Sequence, residues 1–151
     1  MQARITHPVA LFPAALKALN GLSAATGDTL PEATRNLVYM RASQINGCAV
    51  CLEMHATDMR KAGEPDERVL TIAAWRDTPY FTDAERAALA LTEATTRLAD
   101  RGDAVPDDIW DQAAKHYDEK QLAALVIAIA SINTWNRLNA STRAVAGSLA
   151  G

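Results

Sequence analysis

The sequence predicts an all-α, single-domain helical bundle, and three observations predict it. Apolar residues recur at helical spacing, with no run of alternating β-branched residues. Glycine and proline fall at intervals that divide the chain into helix-length segments. Hydrophobic residues make up 49% and charged residues 22% of 151 residues, which suits one globular domain with a real core. This punctuation marks about six to seven helices.

Residues 1–30 read as an N-terminal segment with a short helix, and 31–151 as the helical core. The first helix runs from about Pro13 to Ala25 and stops at Gly27. A second starts near Leu30-Pro31-Glu32, with Thr29 or Asp28 as cap and Pro31 in the first turn, and runs to about Ile45. Leu37, Val38, Ala42 and Ile45 form its apolar stripe. A third opens at Gly47-Cys48 and closes at Gly63. Glu64-Pro65-Asp66 restarts the chain into a short helix from Glu67 to Ala74.

Thr82-Asp-Ala-Glu85 is a capping box opening a helix to about Asp100, stopped at Gly102. Pro106 begins a short helix to about His116. Asp118-Glu-Lys-Gln121 caps the longest helix, to about Arg143. There Leu122, Leu125, Val126, Ile129 and Ile132 keep helical spacing, and Ile127 and Ala128 extend apolarity to the other sides. Such a helix is central in the fold or buried against another subunit.

A net charge of -3 does not suggest a nucleic-acid surface. The longest apolar run, Leu122–Ala130, is too short for a bilayer span. The start of the chain lacks the apolar stretch of a signal peptide. Two cysteines do not make a secreted disulfide framework, so the expected compartment is the cytoplasm.

Those two cysteines carry the chemistry. Cys48-Ala-Val-Cys51 sits where a helix starts, and His55 follows one turn beyond Cys51 on the same face. A helix N-terminus favours thiolate over thiol. One thiolate can attack a peroxide oxygen and become a sulfenic acid, which the second thiol condenses to a disulfide. His55 can accept or return the proton. On spacing alone, two other readings compete: buried core cysteines, and two ligands of a zinc site with His55 as a third. A thioredoxin fold needs a βαβ context that is absent.

The run Arg41-Ala-Ser-Gln-Ile-Asn-Gly-Cys48-Ala-Val-Cys51-Leu-Glu-Met-His55, then Asp58, Ala62 and Gly63, resembles the core motif of the alkyl hydroperoxidase D-like branch of the carboxymuconolactone decarboxylase superfamily. The likeness continues through Ala74-Trp75-Arg76-Asp-Thr-Pro79, Phe81-Thr-Asp-Ala-Glu85-Arg86-Ala87-Ala88-Leu89 and Thr92-Glu93-Ala94, to Ile132-Asn133-Thr-Trp135-Asn136-Arg137-Leu138. The resemblance implies an alkyl hydroperoxidase D-like helical fold assembled as homo-trimers or hexamers. It implies a thiol-dependent peroxidase acting on hydrogen peroxide or organic hydroperoxides in antioxidant defence. Cys51 would be peroxidatic, Cys48 resolving and His55 part of a proton relay. An external thiol or lipoyl-type reductant would regenerate the pair. No cofactor, metal, nucleic acid or membrane is expected. Alternatives are a redox-responsive or disulfide-reducing oligomer with little turnover, and a lactone-decarboxylase-type lyase.

Two positions depart from the pattern that the resemblance implies. The relay glutamate is replaced by Asn36, and an amide takes no proton at neutral pH. A histidine beside the second cysteine is replaced by Val50. Glu93 and, less favourably, Glu53 are the substitute carboxylates; a solvated helix charge is the competing reading of Glu93. Trp135 reads as packing, as do Tyr39 and Met40. Arg41 either pairs with a buried carboxylate or reaches the surface. His7 and His116 read as surface residues, and Trp75 and Trp110 as anchors for the short helices.

Overall fold

The computed structural model describes residues 1–100 and 102–147. They form α1 (Pro8–Leu11), α2 (Pro13–Ala24), α3 (Glu32–Asn46), α4 (Ala49–Lys61), α5 (Asp66–Thr71), α6 (Asp83–Thr96), α7 (Asp107–Ala114) and α8 (Glu119–Thr142). Tight 3₁₀ turns follow α5 (Ile72–Asp77) and α6 (Leu98–Asp100). The fold is all-helical, and the described residues contain no strand.

The count of six to seven helices misses α1, a single turn whose His7 ring accepts the Val9 N–H. The cap expected from Thr29 or Asp28 is absent: Pro31 precedes α3, and no side chain bonds its first turn. The helix expected from Glu67 to Ala74 is instead α5 plus a 3₁₀ turn, kinked at Ala74. Arg97 leaves helical geometry, so α6 ends before Asp100. Both capping boxes form, Thr82 with Glu85 and Asp118 with Gln121.

Helix α3 lies at the centre, against α8, α6 and α4. Leu125 and Ile129 of α8 pack with Leu91 and Ala88 of α6 and Val38 of α3. Leu37, Met59, Ile72 and Leu89 fill a second cluster. Each fully buried aliphatic side chain contributes about 1.5–3 kcal/mol. A third cluster joins Ala42, Val50 and Ile132 to both cysteines, between α3, α4 and α8. Helix α8 is therefore central in the fold, one of the two placements its composition allows.

A buried polar network aims the α3–α4 corner. The Asn46 amide donates to Asn133 Oδ1 at 3.0 Å and to Asn136 Oδ1 at 2.9 Å. Asn136 donates to Ser43 Oγ at 3.0 Å, and Asn133 to Thr96 Oγ1 at 3.0 Å. Gly47 then reverses the chain at φ 65°, a left-handed geometry that glycine adopts without cost from a Cβ. Cys48 follows at once as the residue capping α4. Helix α2 buries no residue fully and meets α8 through a Ser23–Ser131 hydroxyl pair at 2.6 Å. No helix among the described residues is long and apolar enough to cross a membrane.

Candidate functional site

The α3–α4 corner puts one cysteine just before the first turn of α4 and the other within it. Cys48 Sγ accepts the Cys51 backbone N–H at 3.3 Å. The two sulfurs are joined as a disulfide with Cα atoms 5.4 Å apart, within the ordinary span. Both residues are 1% exposed. Only Cys51 reaches the wall of a cavity of about 320 Å³. Among the described residues no group of three or more His, Cys, Asp or Glu converges as a metal site.

Val50, Met54, Ile132 and Trp135 supply apolar lining to the cavity, and Val50, Ile132 and Trp135 pack in one cluster with Cys51. Asn20, Ser23 and Ser131 line it from α2 and α8. Among the described residues, no Asp, Glu, Lys or Arg lines it. Helical spacing explains the α8 contribution: Ile132, Trp135 and Asn139 recur on one face.

His55 stands one turn beyond Cys51 and lines the same cavity, with its ring centroid 5.0 Å from that of Tyr39. Burial lowers its pKa from 6.5 to about 4, against the pull of Asp58, whose carboxylate is 3.8 Å from Nδ1. The imidazole is therefore neutral at physiological pH. Its Nε2 is buried without a protein partner, as is Asn36 Nδ2. Both side chains line a second, more open cavity with Tyr39 and Asp58. Burial pushes the Tyr39 hydroxyl up, opposed by Arg35.

Glu93 lines neither cavity that His55 lines. It is buried rather than solvated, and its Oε1 accepts from Arg41 Nε at 2.8 Å and Trp75 Nε1 at 2.9 Å. Its Oε2 accepts from Arg76 at 2.9 Å. Burial pushes this carboxyl up, but the bonds from Trp75, Arg76 and Arg41 outweigh it and hold it below the usual carboxylate range. Arg41 thus takes the buried partner rather than the surface. Glu53 is exposed and accepts the Gly147 N–H. Cys48, Cys51, His55 and Asn36 are gathered around Tyr39, and Glu93 is spent on arginines.

Sequence reasoning missed Asn139. Its amide donates to Cys51 Sγ at 3.3 Å, and it is 5% exposed. Its i+7 spacing from Ile132 was the available signal. His7, expected at the surface, is half-buried with Nε2 2.8 Å from Asn139 Oδ1. His116 is exposed as expected. Trp75 is buried, whereas Trp110 stands 40% exposed.

Similarity to known proteins agrees with this architecture. Residues 10–94 match the model of the carboxymuconolactone decarboxylase family. The uncharacterized protein YdfG of Bacillus subtilis (strain 168) is 40% identical over 111 residues, 74% of either chain. The crystal structure of ATU0492 from Agrobacterium tumefaciens superposes with a TM-score of 0.88 at 32% identity, covering 96% of this chain and 98% of that one. ATU0492 is a protein of unknown function for which an antioxidant-defence role as an AhpD has been suggested. The debrominase Bmp8 shares the fold at a TM-score of 0.80 and 21% identity, over 93% of this chain and 75% of its own. With its family model matched over more than half its length, this chain belongs to the carboxymuconolactone decarboxylase family.

Proposed function

We propose that the protein is a thiol-dependent peroxidase of the alkyl hydroperoxidase D type, reducing hydrogen peroxide or organic hydroperoxides. The observation that carries the reading is the asymmetry of the cysteine pair: Cys51 is on the cavity wall beside His55, and Cys48 is behind it. The debrominase with this fold is a reminder that fold alone does not choose a reaction.

In the reduced enzyme the Cys51 thiolate attacks a peroxide oxygen. The S–O bond forms as the O–O bond breaks, and the alkoxide or hydroxide leaves with a proton. His55, neutral and one turn away, takes the Cys51 proton and returns it to the leaving oxygen. Cys48 then attacks the Cys51 sulfenic acid, closing the disulfide and releasing water. An external dithiol, lipoyl-type in our reading, supplies two electrons and two protons to reopen it. Asn36 takes no proton where the resemblance implies the relay glutamate, and we expect slow turnover on that ground.

The test is hydroperoxide consumption with a dithiol recycling system. Cys51→Ser abolishes it. Cys48→Ser supports one turnover and leaves a sulfenic acid that dimedone traps. Consumption unaffected by Cys51→Ser sinks the assignment. The buried amide at Asn36 favours a second reading, a redox-responsive module that oxidises reversibly without multiple turnover. We assign the chemistry to the cytoplasm, as the two-cysteine content suggests, and to a homo-trimer or hexamer. Exposed Leu11, Phe12, Leu16 and Leu22 along α1 and α2 support self-association.

A further inference from the structure

Among the described residues, Cys51 receives one hydrogen bond from outside its own helix, and it comes through a chain of three groups. The Val9 backbone N–H donates to His7 Nδ1 at 3.3 Å. That bond makes Nδ1 the acceptor and leaves the proton on Nε2. Nε2 lies 2.8 Å from Asn139 Oδ1, so the ring donates and the amide oxygen accepts. The amide is thereby turned with its NH₂ toward the sulfur, 3.3 Å away. Every donor in the chain points toward Cys51.

The segment bearing His7 is itself anchored to the end of α8. The Arg4 backbone N–H donates to the Thr142 carbonyl at 2.9 Å, and the Arg4 guanidinium to the Ser141 carbonyl at 3.0 Å. Asn139 lies one turn earlier on that helix. Without His7 the amide has no reason to prefer this face, and its flipped form would present an oxygen to a thiolate. Among the described residues, the titratable groups sharing the cavity with Cys51 are His55 on its own helix and Tyr39 from α3, and no charged side chain lines it. An oriented neutral donor is then the main stabiliser of negative charge on this sulfur besides the α4 N-terminus.

We infer that Asn139, oriented by His7, is a positioning residue that stabilises the Cys51 thiolate and sets the reactivity of the pair. The inference rests on the reading of Cys51 as the thiol that meets peroxide. It assigns the first residues of the chain a role at the reactive centre, in a relay different from the glutamate whose place Asn36 occupies.

The test uses the full chain with Cys48→Ser, which leaves Cys51 as its only thiol. The pH dependence of iodoacetamide alkylation then gives the Cys51 pKa directly. Asn139→Leu raises it by about one unit, a tenfold loss of thiolate at neutral pH. His7→Ala raises it by about half a unit, and His7→Gln, which keeps a donor at the Nε2 position, restores the parent value. Should Asn139→Leu fail to fold by circular dichroism, the two His7 variants decide alone. A merely structural role lowers melting temperature without moving the alkylation profile, and that result overturns the inference, as does failure of His7→Gln to restore the value. Peroxide consumption is measured separately on the two-cysteine protein. A shifted pKa without consumption removes the peroxidase reading and leaves the positioning role. Consumption with an unmoved pKa does the reverse.

Discussion

At the scale of the residue, burial sets what each titratable group can do. His55 has its pKa lowered from 6.5 to about 4, so between those values the unfolded chain binds a proton that the native protein does not. Stability therefore rises with pH across this window and falls on acidification through it. The full effect is about 3 kcal/mol for a shift of this size. Urea denaturation at neutral pH and near pH 4 measures it, and the difference shrinks in His55→Gln by that amount. An equal acid sensitivity in the variant would show that the cost of burying this imidazole is wrongly assigned. Glu93 is the converse case, a carboxylate whose partners stabilise its charge. Glu93→Gln lowers stability by about 2 kcal/mol, because Arg41 and Arg76 lose their counter-charge. Peroxide turnover per folded molecule stays unchanged, since this carboxylate touches neither Cys51 nor His55. A collapse of turnover with retained stability would restore Glu93 to the relay.

At the scale of the element, the α3–α4 corner decides where the sulfurs sit. Gly47 has φ 65°, and among the described residues nothing beyond its chain neighbours lies within 4 Å of where a Cβ would be. The cost of a side chain there is therefore backbone strain alone. Gly47→Ala destabilises by about 1–2 kcal/mol, and Gly47→Asn by less because asparagine tolerates the left-handed region. Equal losses for both, read from denaturant midpoints, would point to a clash instead. In α8, Leu125 and Ile129 are fully buried, so Leu125→Ala costs about 2–5 kcal/mol. Such elements were legible beforehand because capping boxes and apolar periodicity are local signals. The short α1 was not, since one turn carries no periodicity. Nor was the early end of α6, which Arg97 sets without a glycine or proline at that position.

At the scale of the whole molecule, the cavity belongs to no single element. Cys51 and His55 come from α4, Tyr39 from α3, Ile132 and Asn139 from α8, and Ser23 from α2. Closure on the α2 side rests on a helix with Leu16 37% and Leu22 38% exposed. Association between copies through this face would bury that surface and steady the cavity. Light scattering is expected to give a mass three or six times the 16.2 kDa of one chain. A protein that stays at one chain mass at high concentration would remove the oligomer from the proposal.

The sequence by itself determined the helical class, the two capping boxes and the placing of Cys51 and His55 one turn apart on one helix. All are consequences of spacings within a few residues. Only the tertiary structure decided which thiol faces the cavity, that Glu93 serves arginines, and that His7 and Asn139 reach Cys51. Those facts depend on which helix faces meet. The packing of α8 against α3 and α4 is set by burial summed over the whole core, and no local spacing encodes it.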